Sequence, residues 1–326
     1  MKFFRAFIFL SIAAFSTSSF AAHHESAQHG DSEQQADKHQ KAVLITGATS
    51  GLGLKMTETL SKNGFLVYAG ARKDADMKRL EAMENVEAIK IDVTIQSEID
   101  AAVKTVEAKG RGLYGLINNA GVAIFGPVIE VDIAQLEYQM NVNVYGPYRV
   151  TQAFAPLIIK SKGRIATTGS IAGIRASSFF GHYSMSKHAI EAYTEALSAE
   201  MTRFDVTVGV IEPGNYASQI GNTARKRILD TNYWPTDSQY AQERAGLVAG
   251  LAKVTEGKSP QDVADAALHF MSNEAPKMRY MVTPNADQSE AMIRASLQKT
   301  LQLNQGQPYS LSKEALMKML QEEFDK

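Results

Sequence analysis

The sequence carries two copies of the pattern Tyr-x-x-x-Lys, YSMSK at 183–187 and YSLSK at 309–313. A tyrosine and a lysine four residues apart lie on one face of a helix. There the lysine ammonium can stabilise a tyrosinate, so that a phenol with an ordinary pKa of about 10 can act as an acid/base near neutral pH. Because this short pattern often arises by chance, the surroundings of each copy must decide which one carries chemistry.

The downstream copy lies at the entrance of a predicted last helix. Ser312 has the position of an N-cap for that helix. The predicted helix then shows an apolar stripe, formed by Leu316, Met319, Leu320 and Phe324. Tyr309 therefore precedes the helix and shares no face with Lys313, so we predict no catalytic role for it.

The upstream copy opens an amphipathic segment, HYSMSKHAIEAYTEAL, directly after Gly181. Lys187 then lies one turn beyond Tyr183 on the same face. Ser170 ends a predicted strand thirteen residues before Tyr183. A hydroxyl, a phenol and an ammonium can therefore converge at one edge of a sheet, as in an active site. The alternative, an exposed tyrosine and lysine on a solvated helix, leaves this convergence to coincidence.

The elements that must position these residues begin at Lys41, where apolar strand-like segments start to alternate with amphipathic helical segments. Repeated βαβ units with continuously apolar strands predict a parallel sheet covered by helices on both faces. We therefore predict an α/β fold, with a single doubly wound, Rossmann-like domain over residues 41–285 and a helical C-terminal extension over 286–326. Such sheets bind ligands at the carboxyl ends of their strands.

The first predicted strand leads into the glycine-rich turn GATSGLG. Glycines at 47, 51 and 53 allow a tight turn and a close approach of the backbone to a ligand, and the following helix directs its free N–H groups at a pyrophosphate. Glycines also close many strand-to-helix turns that bind nothing. The strand and helix on either side favour a nucleotide site.

Composition excludes several kinds of site. The formal net charge of −1 over 326 residues gives no electrostatic footprint for nucleic acid. The chain has no cysteine, which excludes thiolate zinc sites, disulfides and cysteine nucleophiles. Four of the seven histidines fall within residues 22–40. Their irregular spacing favours a polar linker over a metal-binding tail, and we predict no metal site.

The amino terminus reads as an export signal. Lys2 and Arg5 precede a short apolar run, and small and polar residues end at Ala21. We predict a cleaved signal peptide over residues 1–21, a polar linker over 22–40 and an exported protein, periplasmic or secreted. An uncleaved, membrane-anchored form is the second choice, because the run is short for a membrane span.

Seven segments in order resemble the motif series of the short-chain dehydrogenase/reductase family. They are TGATSGLG, DV, NNAG, NVNVYG, GS, YSMSK and PG, which begin at positions 46, 92, 118, 141, 169, 183 and 213. The resemblance covers roughly residues 41–285 and favours the short, single-domain branch. The segments ARK, SKHAIEAYTEAL and IEPG are similar to those of hydroxysteroid and retinol dehydrogenases. Ser218 departs from the family pattern, which usually has threonine there, but it keeps a hydroxyl.

The resemblance implies an NAD(P)-dependent oxidoreductase that transfers a hydride. Tyr183 would be the acid/base, and Ser170 would hold and polarise the carbonyl oxygen. Lys187 would support the tyrosinate and grip the nicotinamide ribose. Asn143 would help a water carry protons away from Lys187; its spacing to Ser170 selects it over Asn141, and the alternative is an asparagine that merely kinks its helix.

The resemblance also implies a set of cofactor contacts. Asp92 would contact the adenine, Asn119 and Gly121 would border a ribose, and Ser218 would bind the carboxamide. Asp92 as a helix N-cap and Gly121 in a tight turn are structural alternatives that are compatible with these roles. The whole predicted set is Gly47, Ser50, Gly51, Leu52, Gly53, Arg72, Asp92, Asn119, Gly121, Tyr183, Lys187, Pro213, Gly214 and Ser218.

The end of the second predicted strand indicates the cofactor type. An NAD-preferring enzyme of this kind usually has an acid there to take the ribose hydroxyls, whereas this chain has Ala71, Arg72 and Lys73. A cation suits a 2′-phosphate, so we predict NADP(H), with NAD as second choice. The alternative is a solvated basic turn.

Aromatic residues around the predicted substrate lid, 214–258, favour a small apolar alcohol or carbonyl as substrate. They are Tyr216, Tyr233 and Trp234, with Phe179 and Phe180 upstream. A lid packed onto its own domain would look identical in sequence. The sequence is compatible with a homo-oligomer, and with a membrane tether if the signal is uncleaved. The alternative function is a catalytically inactive nucleotide-binding sensor or scaffold of the same fold.

Overall fold

The computed structural model describes residues 40–325. The predicted signal peptide and nearly all of the predicted linker lie outside the described residues, as does Lys326. The described residues fall in one compact unit.

The core of the fold is a seven-stranded sheet in which every neighbouring pair is parallel. Along the sheet the strand order is β3-β2-β1-β4-β5-β6-β7. The strands are β1 (Ala42–Ile45), β2 (Leu66–Ala71), β3 (Val86–Lys90), β4 (Gly115–Asn118), β5 (Arg164–Thr168), β6 (Thr207–Pro213) and β7 (Arg279–Val282). The predicted doubly wound α/β fold is therefore confirmed.

Helices connect the strands and cover the sheet. The eleven α-helices of the described residues are α1 (Gly51–Lys62), α2 (Asp74–Glu81), α3 (Gln96–Ala108), α4 (Ile133–Met140), α5 (Gly146–Lys160), α6 (Gly181–Met201), α7 (Ile220–Thr231), α8 (Ala241–Leu251), α9 (Gln261–Ser272), α10 (Ala286–Asn304) and α11 (Lys313–Phe324). Between α4 and α5 the chain forms a π-helical turn, Asn141–Tyr145.

Strand β1 shows why both faces of the sheet are covered. All four of its residues are buried, and successive side chains point to opposite faces. Ala42 and Leu44 join the apolar cluster that includes α3 and α5 residues, whereas Val43 and Ile45 join the cluster that includes α1 and α9 residues. The continuous apolar run in the sequence therefore reflects two helical layers.

The strand order places the ligand-binding edge. The chain runs outward from β1 to β3 and then crosses back to β4 on the other side of β1. This reversal opens a crevice at the carboxyl ends of β1 and β4. The glycine-rich turn follows β1 and the NNAG segment begins in β4, so both reach this crevice.

The C-terminal extension consists of α10 and α11. The Ser312 hydroxyl accepts a hydrogen bond from Ala315 N at 3.2 Å, which confirms Ser312 as the N-cap of α11. Tyr309 precedes this helix and is 86% exposed. Among residues 40–325, no helix combines the length and apolar character needed to cross a membrane.

Candidate active site

Ser170 and Tyr183 meet at the carboxyl edge of the sheet. Ser170 follows β5 after one glycine, Gly169, and caps a short 3-10 turn, Ile171–Gly173, where its Oγ accepts a hydrogen bond from Ala172 N at 3.1 Å. Tyr183 is the third residue of α6, and its phenol lies beside the Ser170 side chain. A carbonyl oxygen placed between these hydroxyls would be in reach of both.

Lys187 lies one turn further along α6 and is 6% exposed. Its Nζ donates a hydrogen bond to the Thr168 carbonyl at 2.7 Å and lies 5.7 Å from the centre of the Tyr183 ring. Burial lowers the pKa of Lys187 to about 8, against the opposing effect of the Glu191 carboxyl. The ammonium is therefore held beside the phenol, with its charge sensitive to the neighbouring carboxyl group.

Burial acts on Tyr183 in the opposite direction. It raises the pKa of the phenol, and the neighbouring Ser170 hydroxyl offsets this only in part. The phenol is therefore protonated at neutral pH, which is the form that can donate a proton.

Asn143 is fixed at the inner side of the site by the π-helical turn. Its Oδ1 accepts from Val122 N at 2.9 Å, and its Nδ2 donates to Val122 O at 3.0 Å and to Ser186 Oγ at 3.2 Å. Asn141 instead accepts a bond from Arg149 at 2.9 Å. Of the two asparagines, Asn143 is thus the one linked to the loop after β4 and to α6. The turn itself was not predicted; single π-turns often occur at functional sites.

The glycine-rich loop is folded tightly against the NNAG segment. Gly47 has a φ of 65° in the left-handed region, and a Cβ there would lie 2.9 Å from Ala120 Cα. A Cβ on Gly53 would lie 2.3 Å from the Gly47 carbonyl oxygen and 2.5 Å from Asn119 Nδ2. These two positions therefore require glycine.

The start of α1 fits a dinucleotide phosphate. Ser50 is the N-cap, but its side chain makes no capping hydrogen bond, and the first turn carries no acidic residue. The N–H groups around Gly51 and Leu52 are therefore free of competing carboxylates, and the helix dipole favours an anion at this end. The residues of the loop fit the pyrophosphate of a nicotinamide cofactor.

The segment after β4 is held by Asn119 and by Thr46, whose role we did not predict. Asn119 Nδ2 donates to the carbonyls of Thr46 at 3.0 Å and Gly47 at 3.2 Å. Thr46 Oγ1 accepts from Asn119 N and Ala120 N, both at 3.0 Å. Gly121 follows beside the Asn143 side chain. Asn119 therefore holds the start of the glycine-rich loop against the segment after β4, in addition to its predicted place beside a ribose.

Asp92, the predicted adenine contact, lies two residues after β3. It accepts hydrogen bonds from Thr94 N at 2.9 Å and Thr94 Oγ1 at 2.7 Å, and Arg72 Nη1 lies 3.4 Å from its Oδ2. Burial would raise the pKa of Asp92, but these bonds and the Arg72 charge outweigh it and lower the pKa. The suggestion of a helix N-cap was wrong, because Ile95 occupies that position of α3.

A second arginine, Arg79, contacts the glycine-rich loop and was not predicted. Arg72 directly follows β2, and its side chain is 69% exposed. Arg79 on α2 donates to the Thr49 carbonyl in the glycine-rich loop at 2.5 Å and to Asp76 at 3.2 Å. Its place on the helix that begins just after Arg72 is the only signal the sequence offers.

The loop after β6 completes the predicted cofactor set. Gly214, after Pro213, donates its N–H to the Val282 carbonyl at 2.7 Å. Gln288 of α10 lies against Gly214, and its Oε1 accepts from Asn215 N at 3.0 Å. Ser218 lies at the glycine-rich loop, with its Cβ 3.3 Å from the place of a Cβ on Gly51. The C-terminal extension thus supports this loop.

The lid aromatics are mostly core residues. Trp234 is fully buried and stacks on Phe179 with ring centres 5.4 Å apart, and the Tyr233 hydroxyl donates to the Phe125 carbonyl at 3.0 Å. Tyr216 is 3% exposed, and its hydroxyl donates to Asp262 at 2.7 Å. Their apolar character therefore reflects packing of the lid, which was the alternative explanation, and does not by itself indicate the substrate.

Within residues 40–325, no group of three or more histidine, aspartate or glutamate side chains is arranged to hold a metal ion.

Comparison with known proteins places this site in a family. A family model described as short chain dehydrogenase matches residues 41–228. The chain is 36% identical over 246 residues to the uncharacterised oxidoreductase YbbO of Escherichia coli K12, covering 75% of this chain and 86% of that protein. It is 32% identical over 261 residues to the mitochondrial D-beta-hydroxybutyrate dehydrogenase of Bos taurus, covering 74% and 76%.

A solved structure shows the same similarity. The crystal structure of a variant actinorhodin polyketide ketoreductase with NADPH aligns with a TM-score of 0.62 and 26% identity, over 76% of this chain and 96% of that one. The ordered motifs, the parallel sheet and these relatives agree. The chain belongs to the short-chain dehydrogenase/reductase family of NAD(P)-dependent oxidoreductases.

Proposed function

We propose that this protein is an NADP(H)-preferring oxidoreductase that interconverts a carbonyl and an alcohol on a small, apolar substrate. The observation that carries the proposal is the cluster of Ser170, Tyr183 and Lys187, which lies at the same sheet edge as the glycine-rich loop. A hydroxyl pair backed by a buried ammonium suits proton transfer to an oxygen atom.

The proposed mechanism assigns one task to each side chain. The nicotinamide cofactor, when bound, supplies or accepts the hydride. Ser170 donates a hydrogen bond to the substrate oxygen and stabilises the negative charge that develops there. Tyr183 delivers its proton to that oxygen during reduction and takes it back during oxidation.

Lys187 and Asn143 support this proton transfer. The Lys187 ammonium stabilises the phenolate that remains after Tyr183 has given up its proton. In the proposed mechanism Lys187 also binds the nicotinamide ribose, and Asn143 helps a water to carry protons away from Lys187. The hydrogen bonds of Asn143 to Val122 and Ser186 hold it rigidly enough for this role.

The protonation of Tyr183 favours one reaction direction near neutral pH. Because burial raises the pKa of the phenol, the proton needed for reduction is in place. We infer that carbonyl reduction is the faster direction near pH 7, and that oxidation gains speed as the pH rises.

The proposed substrate is apolar because aromatic rings lie on one side of the proton donor. Phe125 and Phe180 lie with ring centres 4.4 Å apart, and Phe125 lies 6.0 Å from the Tyr183 ring. Apolar walls around a few polar groups are typical of small-molecule sites.

The proposed preference for NADP(H) depends on the cations near the end of β2. The Arg72 side chain is exposed enough to turn toward a 2′-phosphate. Arg79 contacts the glycine-rich loop and adds a second cation. The Arg72–Asp92 contact at 3.4 Å is long for a charge-assisted hydrogen bond, so a phosphate can compete for the guanidinium.

We predict that Arg72→Ala lowers kcat/KM for NADPH about 10- to 100-fold and leaves kcat/KM for NADH nearly unchanged, since only the phosphate loses a charged hydrogen bond. Steady-state kinetics with both cofactors test this. The control is Lys109→Ala. It removes an exposed cation that pairs with Glu87 near the amino end of β3, the end of the strand opposite to the predicted cofactor site. Equal use of both cofactors by the wild type would contradict the preference. Ala71→Asp is a poorer test, because Ala71 is 2% exposed and the carboxylate would be buried.

Turnover itself is tested by mixing the purified protein with NADPH or NADH and a panel of ketones and aldehydes. Loss of absorbance by the reduced nicotinamide ring reports the reaction. We expect the faster rates with apolar carbonyls. A protein that binds NADPH but turns over none of the panel, in either direction, would contradict the proposed activity on this substrate class.

We further propose that the mature protein begins at about Ala22, outside the cytoplasmic membrane. The proposal rests on the signal-like residues 1–21 of the sequence. Cell fractionation followed by sequencing of the amino terminus tests it. A cleaved chain outside the cytoplasm is expected; intact Met1 in the cytosol would refute export, and intact Met1 in the membrane fraction would support a tether instead.

A further inference from the structure

Two glutamates lie against the backbone next to Ser170, one of the proposed catalytic residues. Glu191 is on α6, one turn beyond Lys187. Glu212 is on β6, next to β5, the strand that leads to Ser170, and it is 2% exposed. The two side chains come together beside Gly169, where a Cβ would lie 3.1 Å from Glu191 Oε1 and 3.4 Å from Glu212 Cγ. The proposed mechanism gives neither of them a role.

Glycines on both sides of Ser170 make room for the Glu191 carboxyl group. A Cβ on Gly169 would lie 3.1 Å from Glu191 Oε1, and a Cβ on Gly173 would lie at the same distance from that atom. Contacts of 3.1 Å are too close for a side chain to be accommodated without movement. Glu191 is therefore packed against the backbone that carries Ser170, while Lys187 binds the Thr168 carbonyl one residue before Gly169.

The charges around the pair come from several elements. Arg279 of β7 places Nη2 3.2 Å from Glu191 Oε2 and 2.7 Å from Glu195 Oε1. Lys187 lies one turn before Glu191 on α6, and Lys299 of α10 reaches the Ile174 carbonyl, just after the Ile171–Gly173 turn. Glu195 is 63% exposed, whereas the Glu191 side chain is only 15% exposed.

Two neighbouring buried carboxyl groups cannot both be ionised at low cost, so one of them keeps a proton. Burial raises the pKa of both, and the charge of Glu191 also helps to raise that of Glu212, to about 7. Among the described residues no cation forms an ion pair with Glu212, whereas Arg279 Nη2 lies 3.2 Å from Glu191 Oε2. The proton therefore belongs on Glu212 and the negative charge on Glu191.

We propose that Glu191 is a positioning residue: with Glu212 as its proton-bearing partner, it holds one negative charge beside Lys187 and keeps the Lys187 side chain in its ammonium form during turnover. The inference rests on the proposed function, in which that ammonium supports Tyr183. A purely structural alternative is that the pair only anchors Arg279 and β7. The two roles differ in what they do to the pH profile.

The kinetic test is the alkaline limb of kcat/KM for carbonyl reduction. Removing a negative charge near Lys187 and Tyr183 lowers the pKa of each group, so Glu191→Gln should move this limb to lower pH by about one unit. Glu212→Gln keeps a hydrogen-bond donor toward Glu191 and should leave the limb in place. Glu195→Gln, which also loses a contact with Arg279, is the matched control and should cause no shift.

Two kinetic outcomes would overturn the proposal. One is a Glu191→Gln enzyme whose rate falls equally at every pH. The other is an equal shift in Glu195→Gln, which would assign the effect to Arg279.

Infrared spectroscopy tests the proton on Glu212 without any need for turnover. Wild-type protein near pH 6 should show the carbonyl band of a protonated carboxyl group that is lost in Glu212→Gln and retained in Glu195→Gln. The absence of that difference would overturn the proposal even if Glu191→Gln fails to fold. If the wild type reduces no carbonyl but the band is present, the proposed function fails while the shared proton stands.

Discussion

Tyr183→Phe is expected to lower kcat about 10²- to 10⁴-fold, the usual contribution of a general acid/base. The substitution removes only the phenolic hydroxyl, so the ring keeps its contact with Phe125 and the fold is retained. Cofactor binding should change little, because the proposed cofactor contacts other than the phenol are untouched. The measurement is steady-state turnover together with NADPH affinity, which separates loss of chemistry from loss of binding.

Tyr309→Phe is the matched control for this variant. It makes the same chemical change in the second Tyr-x-x-x-Lys copy, where the tyrosine is 86% exposed and precedes α11. Its turnover should equal that of the wild type. Near wild-type rates in Tyr183→Phe, or a comparable loss in Tyr309→Phe, would contradict the assignment of the proton donor.

Trp234→Ala is expected to lower the free energy of unfolding by about 3–5 kcal/mol, the usual cost of removing a fully buried large aromatic side chain. Trp234 is fully buried in the lid cluster, stacks on Phe179, and donates from Nε1 to Ser238 Oγ at 3.1 Å. Urea unfolding followed by circular dichroism measures the loss.

Phe324→Ala is the control for this second prediction. It also removes a large aromatic side chain, but one that is 78% exposed, so the change should stay within about 0.5 kcal/mol. Trp234 is the single tryptophan of the chain, so its fluorescence in the wild type reports on the lid directly. A fluorescence transition at lower urea than the circular dichroism transition would show that the lid opens before the sheet and would contradict a global loss of this size.

The fold could be predicted because it depends on patterns of apolar and polar residues within short segments of the sequence. Continuous apolar strands followed by amphipathic helices leave a parallel sheet between two helical layers as the arrangement that buries both strand faces, as β1 shows. The start of α11 could be predicted as well, because an N-cap depends on residues three apart. The predictions for residues 1–39 lie outside the described residues and stay predictions.

The convergence of Ser170, Tyr183 and Lys187 could also be predicted from the sequence, for a related reason. Lys187 follows Tyr183 by one helical turn, and a strand end and the next helix start must meet at one edge of a parallel sheet. What the sequence by itself determined is therefore the parallel sheet, the edge at which chemistry occurs and the residue types that reach it.

Only the tertiary structure decided the contacts between distant segments. The π-helical turn that presents Asn143, the burial of Trp234 in the lid and the left-handed backbone of Phe179, at a φ of 66°, have no periodic signal. Glu191 and Glu212 are unremarkable acids in the sequence and form one buried pair only because α6 packs along β6. The physical reason is that periodicity records which face of an element is buried, whereas the protonation of a carboxyl group depends on which side chains from other elements share its cavity.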